Sequence, residues 1–291
     1  MRLKFDADLQ YQHQAIDAVV DLFEGLPPKQ SEFEISFTRA EGELFSELGV
    51  ANQALLDADF LLKNLSSVQE RNVVPKSSGL IEAGDSYVFP NFSVEMETGT
   101  GKTYVYLRTI FELNRRYGLK KFIVVVPSVA IREGVLSSIN LMREHFKGLY
   151  DNVPFDHYVY SSSDLAKVRQ FAVSNEIQIL IINIQAFQKD AGDIDDPAKL
   201  SDEELKKLSV IHREQDKMSG RRPIEFVQAG PDPSSSSTSL RAWTIQPTPG
   251  APLRHLSPCF ACGIQPPISI PITCFTASTL SALTICDSSS R

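Results

Sequence analysis

The residues with the clearest chemical capacity lie between positions 96 and 103, where the chain reads Met-Glu-Thr-Gly-Thr-Gly-Lys-Thr. Gly99 and Gly101 carry no Cβ, so the backbone can turn tightly there and direct successive N–H groups at one phosphate. Lys102 would reach the β- and γ-phosphates of a nucleotide, and the Thr103 hydroxyl would hold Mg²⁺. We therefore predict a phosphate-binding loop, whose contact residues are Thr98, Gly99, Thr100, Gly101, Lys102 and Thr103.

Such a loop needs a strand before it and a helix after it. The stretch from Phe92 to Glu97 alternates apolar and polar residues as a strand does, and a helix is predicted from about Lys102 to Tyr117, where Gly118 ends it. The positive end of this helix dipole would face the same phosphate. The alternative is a chance Gly-Lys-Thr in an ordinary loop, which the two flanking elements disfavour.

A second candidate segment opens a helix predicted from Leu9 to about Glu24. Its core face consists of Ile16, Val19, Val20 and Phe23. The pattern Leu-x-Tyr-Gln-x-x-Ala resembles the adenine-reading element of superfamily 2 motors, which implies that Tyr11 stacks on the base and that Gln12 bonds its edge. An amide suits that task because it offers both a donor and an acceptor. The alternative is a polar helix start without a ligand.

The remaining pattern predicts an α/β fold with a doubly wound, mostly parallel sheet. Short apolar runs at 121–126 and 177–182 are typical of buried parallel strands, 155–160 alternates, and 163–174 is predicted to be a helix capped by Ser-Ser-Asp. Residues 29–89 are interpreted as an insertion with no evident chemistry. Within it, a helix is predicted at 52–65 from the spacing of Leu55, Leu56, Phe60 and Leu61.

Two strand ends carry residues suited to a nucleic-acid backbone. Pro127, Ser128 and Arg132 follow the strand at 121–126, and their sequence resembles motif Ia of superfamily 2 motors, while Asn183 follows the strand at 177–182. Hydroxyls and exposed amides at such positions can bind phosphate oxygens. The alternatives stay open: Ser128 could be a helix cap, alone or in addition, and Asn183 could serve loop structure.

Taken in order, these motifs resemble the helicase (Res) subunit of type III restriction endonucleases. The non-glycine four residues before Gly101 agrees with motif I of superfamily 2 and disfavours small kinases, and Arg222-Pro-Ile-Glu-Phe-Val-Gln228 ends the similar region, residues 1–229. The resemblance implies a RecA-like P-loop domain, the first of two motor lobes, that binds ATP, Mg²⁺ and double-stranded DNA. It also implies Lys102 and Thr103 as catalytic residues and a methyltransferase (Mod) subunit as partner.

The chain departs from that family where hydrolysis needs acidic groups. No Asp-Glu pair follows an apolar strand to hold Mg²⁺ and position water, and no Ser-Ala-Thr, second lobe or nuclease motif follows. Asp195-Asp196 and Asp202-Glu203-Glu204 lie in a polar connector and are interpreted as solvated charges. We expect nucleotide binding with little or no hydrolysis. The alternatives are another superfamily 2 motor, or a non-catalytic module that binds the methyltransferase or DNA.

Composition limits the structural class of the protein and its expected location in the cell. The apolar content of 42% suffices for a core, and the net charge of −7 neither supports nor excludes a local nucleic-acid groove. No run of eighteen apolar residues and no signal-peptide core at the start are present, so we expect a cytoplasmic protein that does not contact membranes.

Residues 230–291 differ from everything before them. They contain no Lys or Glu but twelve Ser, nine Pro, all four Cys and the only Trp, so we expect a disordered tail. Cys259 and Cys262 have a zinc-like spacing but no second close pair. Permitted codons for 233–244, read from one nucleotide earlier, give Pro-Ile-Val-Ile-Ile-Asp-Glu, and later codons allow Ser-Ala-Thr. The tail is therefore interpreted as a frameshifted version of the missing motor motifs.

Overall fold

The computed structural model describes residues 8–26, 58–80, 91–97, 99–187, 210–218, 220 and 222–227, and the backbone of three short strands beyond them. Four strands belong to the first part of the chain: β1 (Asn91–Glu95), β2 (Lys121–Val126), β3 (Phe155–Val159) and β4 (Ile177–Asn183). The later three are β5 (Trp243–Gln246), β6 (Ser269–Cys274) and β7 (Leu283–Thr284).

Helices connect these strands. They are α1 (Gln10–Val20), α2 (Ala58–Arg71), α3 (Lys102–Tyr117), α4 (Val129–Leu149), α5 (Ala166–Val173) and α6 (Pro223–Val227). Short 3₁₀ segments follow α1 at Asp21–Phe23 and β4 at Ile184–Phe187, and two more lie at Val210–His212 and Asp216–Met218.

All seven strands form one sheet in the order β1-β6-β5-β2-β4-β3, with β7 paired to β5. The pairs β5/β2, β2/β4 and β4/β3 are parallel, whereas β6 is antiparallel to both β1 and β5. Because β6 is antiparallel to both β1 and β5, and β5 is parallel to β2, β1 points the same way as β2. The carboxyl ends of β1, β2 and β4 therefore lie along one edge of the sheet, where doubly wound sheets bind their ligands.

Helices cover both faces of the sheet, because the strands bury side chains on both. In β2, Phe122, Val124 and Val126 pack into a core with α1, α3 and α4, whereas Ile123 and Val125 pack into a second core with α5 and α6. A parallel strand buried on both sides requires such a continuous apolar run. The predicted doubly wound α/β fold is confirmed.

Helix α3 lies at the centre of the first core, and its ends follow from local chemistry. Gly118 adopts φ 71°, the left-handed conformation that ends a helix at little cost when the residue is glycine. The Asn114 side chain then donates to the carbonyl of Leu119 at 2.8 Å. Near the middle of α3, Phe111 stacks on Phe146 of α4 and on Tyr150, the residue that ends α4, with centroid distances of 4.8 and 5.1 Å. These contacts fix α4 against the helix that follows the phosphate loop.

Helix α1 is tied to the C-terminal end of α3. Arg116 donates to Asp17 at 3.0 Å and to Asp21 at 3.1 Å, and the Tyr117 hydroxyl donates to the carbonyl of Val20 at 3.0 Å. Partly exposed ion pairs contribute only about 0–1 kcal/mol each. Their main effect is geometric, since they orient α1 so that its first turn lies beside the phosphate loop.

Two predicted helices differ from the observed ones. The helix predicted at 52–65 is α2, at Ala58–Arg71, and Leu55 and Leu56 lie outside the described residues. Phe60, assigned to its core face, is 53% exposed, because Leu61 with Leu65 and Val68 makes the contact with the core. The helix predicted at 163–174 is the shorter α5.

The predicted Ser-Ser-Asp cap of α5 was wrong. The residue before the helix is Leu165, and no side chain caps it. Ser161 and Ser163 instead bond to each other, with a distance of 2.7 Å between their hydroxyl oxygens. The two serines stabilise the turn before the helix.

The strands β5, β6 and β7 differ from the disordered tail that composition predicts. They fill the space between β1 and β2, where unpaired backbone groups of two buried strands would otherwise lack partners. The rest of 230–291 lies outside the described residues, and disorder there stays a prediction. In the part of the chain that the structure describes, no helix is long and apolar enough to cross a membrane.

Candidate nucleotide-binding site

The loop between β1 and α3 has the backbone geometry that the sequence predicts. Gly99 and Gly101 adopt φ angles of 82° and 84°, which only glycine enters without strain. The Thr100 hydroxyl donates to the carbonyl of Glu97 at 2.7 Å and closes the turn. Thr98 lies outside the described residues. The loop delivers the chain to the N-terminus of α3 at the ligand edge of the sheet.

Gly101 also makes room for a neighbouring side chain, besides permitting its φ angle. A Cβ placed on it would lie 2.7 Å from the Gln12 Nε2 atom, closer than real contacts allow. A Cβ on Gly99 would meet no atom within 4 Å. The two glycines are therefore not equivalent: Gly99 only permits the turn, whereas Gly101 also admits the side chain from α1.

That side chain, Gln12, is only 5% exposed. Its Nε2 donates to the Thr100 carbonyl at 2.9 Å, and its Oε1 is buried without a hydrogen-bond partner. A buried acceptor without a partner costs roughly 1–3 kcal/mol, so this arrangement fits a ligand that supplies a donor. Tyr11, the neighbouring residue, is 44% exposed and can offer its ring to a flat ligand.

Lys102 and Thr103 are the first two residues of α3. The Lys102 Nζ atom is shielded from solvent, and both side chains are half-buried. Amides at the start of a sixteen-residue helix favour an anion, and the ammonium group adds a full charge. A glycine cradle, a cation and an unpartnered amide oxygen together fit a nucleotide with its Mg²⁺. Thr103 has a hydroxyl oxygen of the kind that would bind such a metal ion.

The residues predicted to contact nucleic acid lie on the same edge of the sheet. Ser128 caps α4, accepting from Ile131 N at 3.4 Å, a long hydrogen bond that leaves the hydroxyl capable of a second contact. Asn183 ends β4, and its Oδ1 is buried without a partner. Arg132 lies in the first turn of α4, but its guanidinium donates twice to Glu133, at 2.8 and 3.1 Å.

Two residues that the sequence did not single out also belong to this edge. Gln185 Nε2 donates to the Pro127 carbonyl at 2.9 Å and so joins the loops after β4 and β2. Tyr106 lies one helical turn after Thr103 and is 2% exposed. Helical spacing from Thr103 is the signal that could have found Tyr106. No comparable signal exists for Gln185, since its partner is a distant backbone atom.

The acidic residues at 195–196 and 202–204 lie outside the described residues, as do the side chains of the four cysteines. Among the side chains that the structure does describe, no cluster of three His, Cys, Asp or Glu residues could hold a metal ion.

The fold is that of a RecA-like P-loop domain of the helicase class. The sequence model of the family described as "Type III restriction enzyme, res subunit" matches residues 7–218. The chain belongs to this family, and its described part is the N-terminal, helicase-like portion of a Res subunit.

Individual relatives agree with the family. The type III restriction-modification enzyme EcoPI Res subunit of Escherichia phage P1 is 30% identical over 165 residues, which are 56% of this chain and 16% of that protein. The StyLTI Res subunit of Salmonella typhimurium is 39% identical over 112 residues, 33% of this chain and 11% of its own length. The EcoP15I Res subunit of Escherichia coli is 29% identical over 164 residues, which are 56% of this chain and 16% of that protein. This chain thus spans at most about a sixth of these relatives.

Proposed function

We propose that residues 1–229 form the ATP-binding lobe of the DNA-translocating subunit of a type III restriction endonuclease. The observation that carries this proposal is the Gln12 amide, which bonds the phosphate loop at Thr100 and keeps a buried oxygen without a partner beside it. In this proposal the Gln12 side chain lies between a base that stacks on Tyr11 and the phosphates bound by the turn. An ordinary helix start would have no reason to bury an unpaired amide oxygen.

Each residue of the site has a separate task in this proposal. Gly99, Thr100 and Gly101 present backbone N–H groups to the phosphates, and Lys102 neutralises their charge. Thr103 supplies an oxygen to Mg²⁺. A Mg²⁺ ion held there would supply Lewis-acid chemistry to the phosphates. Gln12 retains one amide hydrogen and Oε1 for the two-faced edge of adenine.

The nucleic-acid path is proposed to run along the same edge, past Pro127, Ser128 and Asn183. Support comes from the parallel strands, which bring the ends of β2 and β4 together with the phosphate loop, and from the Asn183 oxygen that has no partner. Arg132 would have to leave Glu133 to join this path, which makes it the weakest member. Double-stranded DNA and a methyltransferase (Mod) subunit are the partners we propose for the whole enzyme.

Hydrolysis by the 291-residue chain is proposed to be close to zero. In phosphoryl-transfer enzymes an acidic residue holds the metal ion and another group positions the attacking water. The sequence offers no Asp-Glu pair after an apolar strand, and we propose that the tail at 230–291 replaces it with an out-of-frame reading. We therefore expect this chain to bind ATP without hydrolysing it.

The test is nucleotide binding by the full chain, measured by calorimetry with ATP and excess Mg²⁺. Lys102→Ala removes charge-assisted contacts worth about 1.5–3 kcal/mol each, so we expect affinity to fall at least about tenfold. Lys147→Ala is the control, because Lys147 lies near the far end of α4 and pairs with Glu144 at 3.0 Å. Equal binding by both variants, or none by the unchanged chain, would overturn the proposed site. DNA-stimulated ATP turnover would overturn the proposed lack of hydrolysis.

A further inference from the structure

Tyr160 and Arg213 carry polar atoms that the fold buries and leaves without hydrogen bonds. The Tyr160 Oη and the Arg213 Nε are both shielded from solvent, and neither has a hydrogen-bond partner among the residues that the structure describes. Buried polar side-chain atoms are usually hydrogen-bonded, because an unpaired one loses its contacts with water without compensation. These two atoms are therefore candidates to donate to another molecule.

The Arg213 guanidinium also forms no ion pair with any carboxylate in the described part of the chain. Glu214 and Asp216 are close in sequence, but both are exposed and neither pairs with it. Arg132 behaves differently, since it pairs with its own neighbour Glu133 at 2.8 Å. The fold thus holds the positive charge of Arg213 in a partly buried place and does not neutralise it there.

Both residues lie at the same end of the sheet. Tyr160 directly follows β3, and its backbone N–H donates to the Ile181 carbonyl of β4 at 2.8 Å. The Arg213 N–H donates to the Val210 carbonyl at 3.3 Å, and the 3₁₀ segment that begins at Val210 lies beside the one that follows β4. Val210 and Tyr160 pack against the same core, the one that contains α5 and α6. Both residues are therefore close to the carboxyl ends of β3 and β4.

The local charge favours an anion as the ligand. Burial raises the pKa of Tyr160 to about 12, and the positive charge of Arg213 opposes this rise. The hydroxyl thus keeps its proton at physiological pH, and a phosphate has enough acceptor oxygens for both donors. Tyr158 differs, because burial and the negative charge of Asp156 raise its pKa. An acidic neighbour makes that hydroxyl unsuitable for an anion.

The position in the sheet separates these donors from the phosphate loop. In the strand order, β1 and β3 are five positions apart, which is about 24 Å at the usual spacing of neighbouring strands. The end of β2, where Ser128 lies, is only two positions from β3, or about 10 Å. Successive phosphates of one DNA strand are about 3.4 Å apart along the helix axis. The interval from β2 to β3 therefore corresponds to about three phosphates of one strand.

We propose that Tyr160 and Arg213 bind a backbone phosphate of a nucleic acid and extend the path that runs past Ser128 and Asn183. This inference rests on the proposed nucleic-acid path and adds two residues that no sequence motif singles out. The guanidinium supplies charge and the hydroxyl supplies a second, neutral donor. Neither group reads a base, so the contact is independent of DNA sequence.

The deciding experiment measures binding of a fluorescein-labelled DNA duplex to the full chain by anisotropy at several salt concentrations. Arg213→Ala should weaken binding about tenfold at fixed salt and lower the slope of log affinity against log salt by about one, because one phosphate contact is lost. Tyr160→Phe should weaken binding about threefold without a change in slope, because the hydroxyl is uncharged. Arg213→Lys should keep the slope, since the charge remains.

Two matched variants serve as controls. Arg169→Ala removes one positive charge from an exposed position of α5, and Tyr158→Phe removes a buried hydroxyl two residues earlier in β3. Both should keep the duplex affinity and the salt slope of the unchanged chain. ATP affinity should be the same in all these variants, because the phosphate loop lies at the other end of the strand order. In the DNA-free chain, Tyr160→Phe should leave the melting temperature unchanged or raise it.

The outcomes separate this inference from the proposed function. Equal duplex affinity and equal salt slope in Arg213→Ala and the unchanged chain would overturn the inference, whereas ATP binding that depends on Lys102 would still support the nucleotide site. A lower melting temperature of DNA-free Tyr160→Phe would show that the hydroxyl has a partner within the chain, which also overturns the inference.

Two further results would count against the inference. Full duplex binding by Arg213→Ala, together with lost capture of a methyltransferase subunit, would assign the two donors to a protein carboxylate instead. No duplex binding by the unchanged chain would overturn both this inference and the proposed nucleic-acid path. The ATP-binding proposal is decided separately, by the calorimetric comparison of Lys102→Ala with Lys147→Ala.

Discussion

Gln12 and Thr100 are joined by a hydrogen bond of 2.9 Å between residues that lie 88 positions apart. The bond connects the first turn of α1 to the turn that precedes α3. Arg116 and Tyr117 hold the other end of α1 to the end of α3. The helix proposed to bind the base and the loop proposed to bind the phosphates are therefore connected at both ends of α1. A shift of either would be transmitted to the other.

Removal of the Gln12 amide should change selectivity between bases. Gln12→Ala should cost roughly 1 kcal/mol of stability through the lost bond to Thr100, and it should weaken ATP binding more than GTP binding, because the edge-reading group is gone. Competition binding with both nucleotides measures this. Gln14→Ala, at an exposed position of α1, is the control. An unchanged preference for ATP over GTP in Gln12→Ala would contradict the base-reading role.

The two loop glycines should respond differently to alanine. Gly99→Ala should lose about 1–2 kcal/mol for the left-handed backbone alone. Gly101→Ala carries the same cost and additionally pushes its Cβ against Gln12, so it should be the less stable variant and should lose more nucleotide affinity. Thermal unfolding and ATP titration of the pair provide the measurement. Equal losses would mean that Gln12 does not occupy this position in solution.

Ser128 can be tested for its two roles by a substitution that preserves only one. Aspartate is as good an N-cap as serine and favours a helix N-terminus electrostatically, but it repels phosphate. Ser128→Asp should therefore keep the stability of the chain while weakening duplex binding, measured by fluorescence anisotropy at fixed salt. Ser128→Ala should lose roughly 0.5–2 kcal/mol of stability as well. Full DNA binding by Ser128→Asp would leave the cap as the sole role of this residue.

Lys121 should make stability depend on pH. It is 2% exposed, and its ammonium group donates to the carbonyls of Phe171 and Ser174 at the end of α5. Burial lowers its pKa from 10.5 to about 7. Between these values the unfolded chain binds one proton more than the folded chain, so the free energy of unfolding rises with pH across that window.

The measurement is urea unfolding at pH 6.5 and at pH 9. The unchanged chain should gain on the order of 1–2 kcal/mol more than Lys121→Met between the two conditions, because methionine cannot titrate. Lys63→Met removes an exposed ammonium of α2 and serves as the control. The same gain in Lys121→Met and in the unchanged chain would show that the Lys121 ammonium stays charged when buried.

The out-of-frame origin of the tail is tested at the level of the gene. In β6, Pro271 lies opposite Ser93 of β1, within a strand that has neighbours on both sides. Proline lacks a backbone donor and is normally confined to edge strands, so this sequence is poorly suited to its place. The alternative frame after codon 229 should stay open through the Asp-Glu and Ser-Ala-Thr codons. Stop codons before them would end the hypothesis.

Sequence patterns predicted those helices and strands that neighbouring residues determine. The strand β2 was predicted with both of its observed ends, because its six buried residues are followed by proline, and α3 was predicted because glycine residues bound it on both sides. The edge that gathers the phosphate loop, Ser128 and Asn183 also followed from the alternation of helices and strands. Each of these needed only neighbouring residues and the rules of parallel sheets.

Features that depend on distant partners could not be predicted in the same way. Phe60 fits an apolar helical stripe, and only the position of the core decides that Leu61 is buried instead. The bond between Gln12 and Thr100 depends on how α1 docks. The strands β5 and β6 form because a space in the sheet offers unpaired backbone groups, which overrides a composition that favours disorder.

The pairing of β1 with β6 also has a consequence while the chain is being synthesised. Among the described residues β1 pairs only with β6, and its partners Phe92 and Ile272 lie 180 positions apart, 272 minus 92. At translation rates of about 5–20 residues per second, roughly 10–40 s pass before β1 can find a neighbour in the sheet. During that interval the nascent chain exposes an open strand directly before its phosphate loop, a ready template for pairing with another chain. A change in the segment that carries β6 would therefore leave the strand before the phosphate loop without its neighbour, although the loop itself is synthesised much earlier.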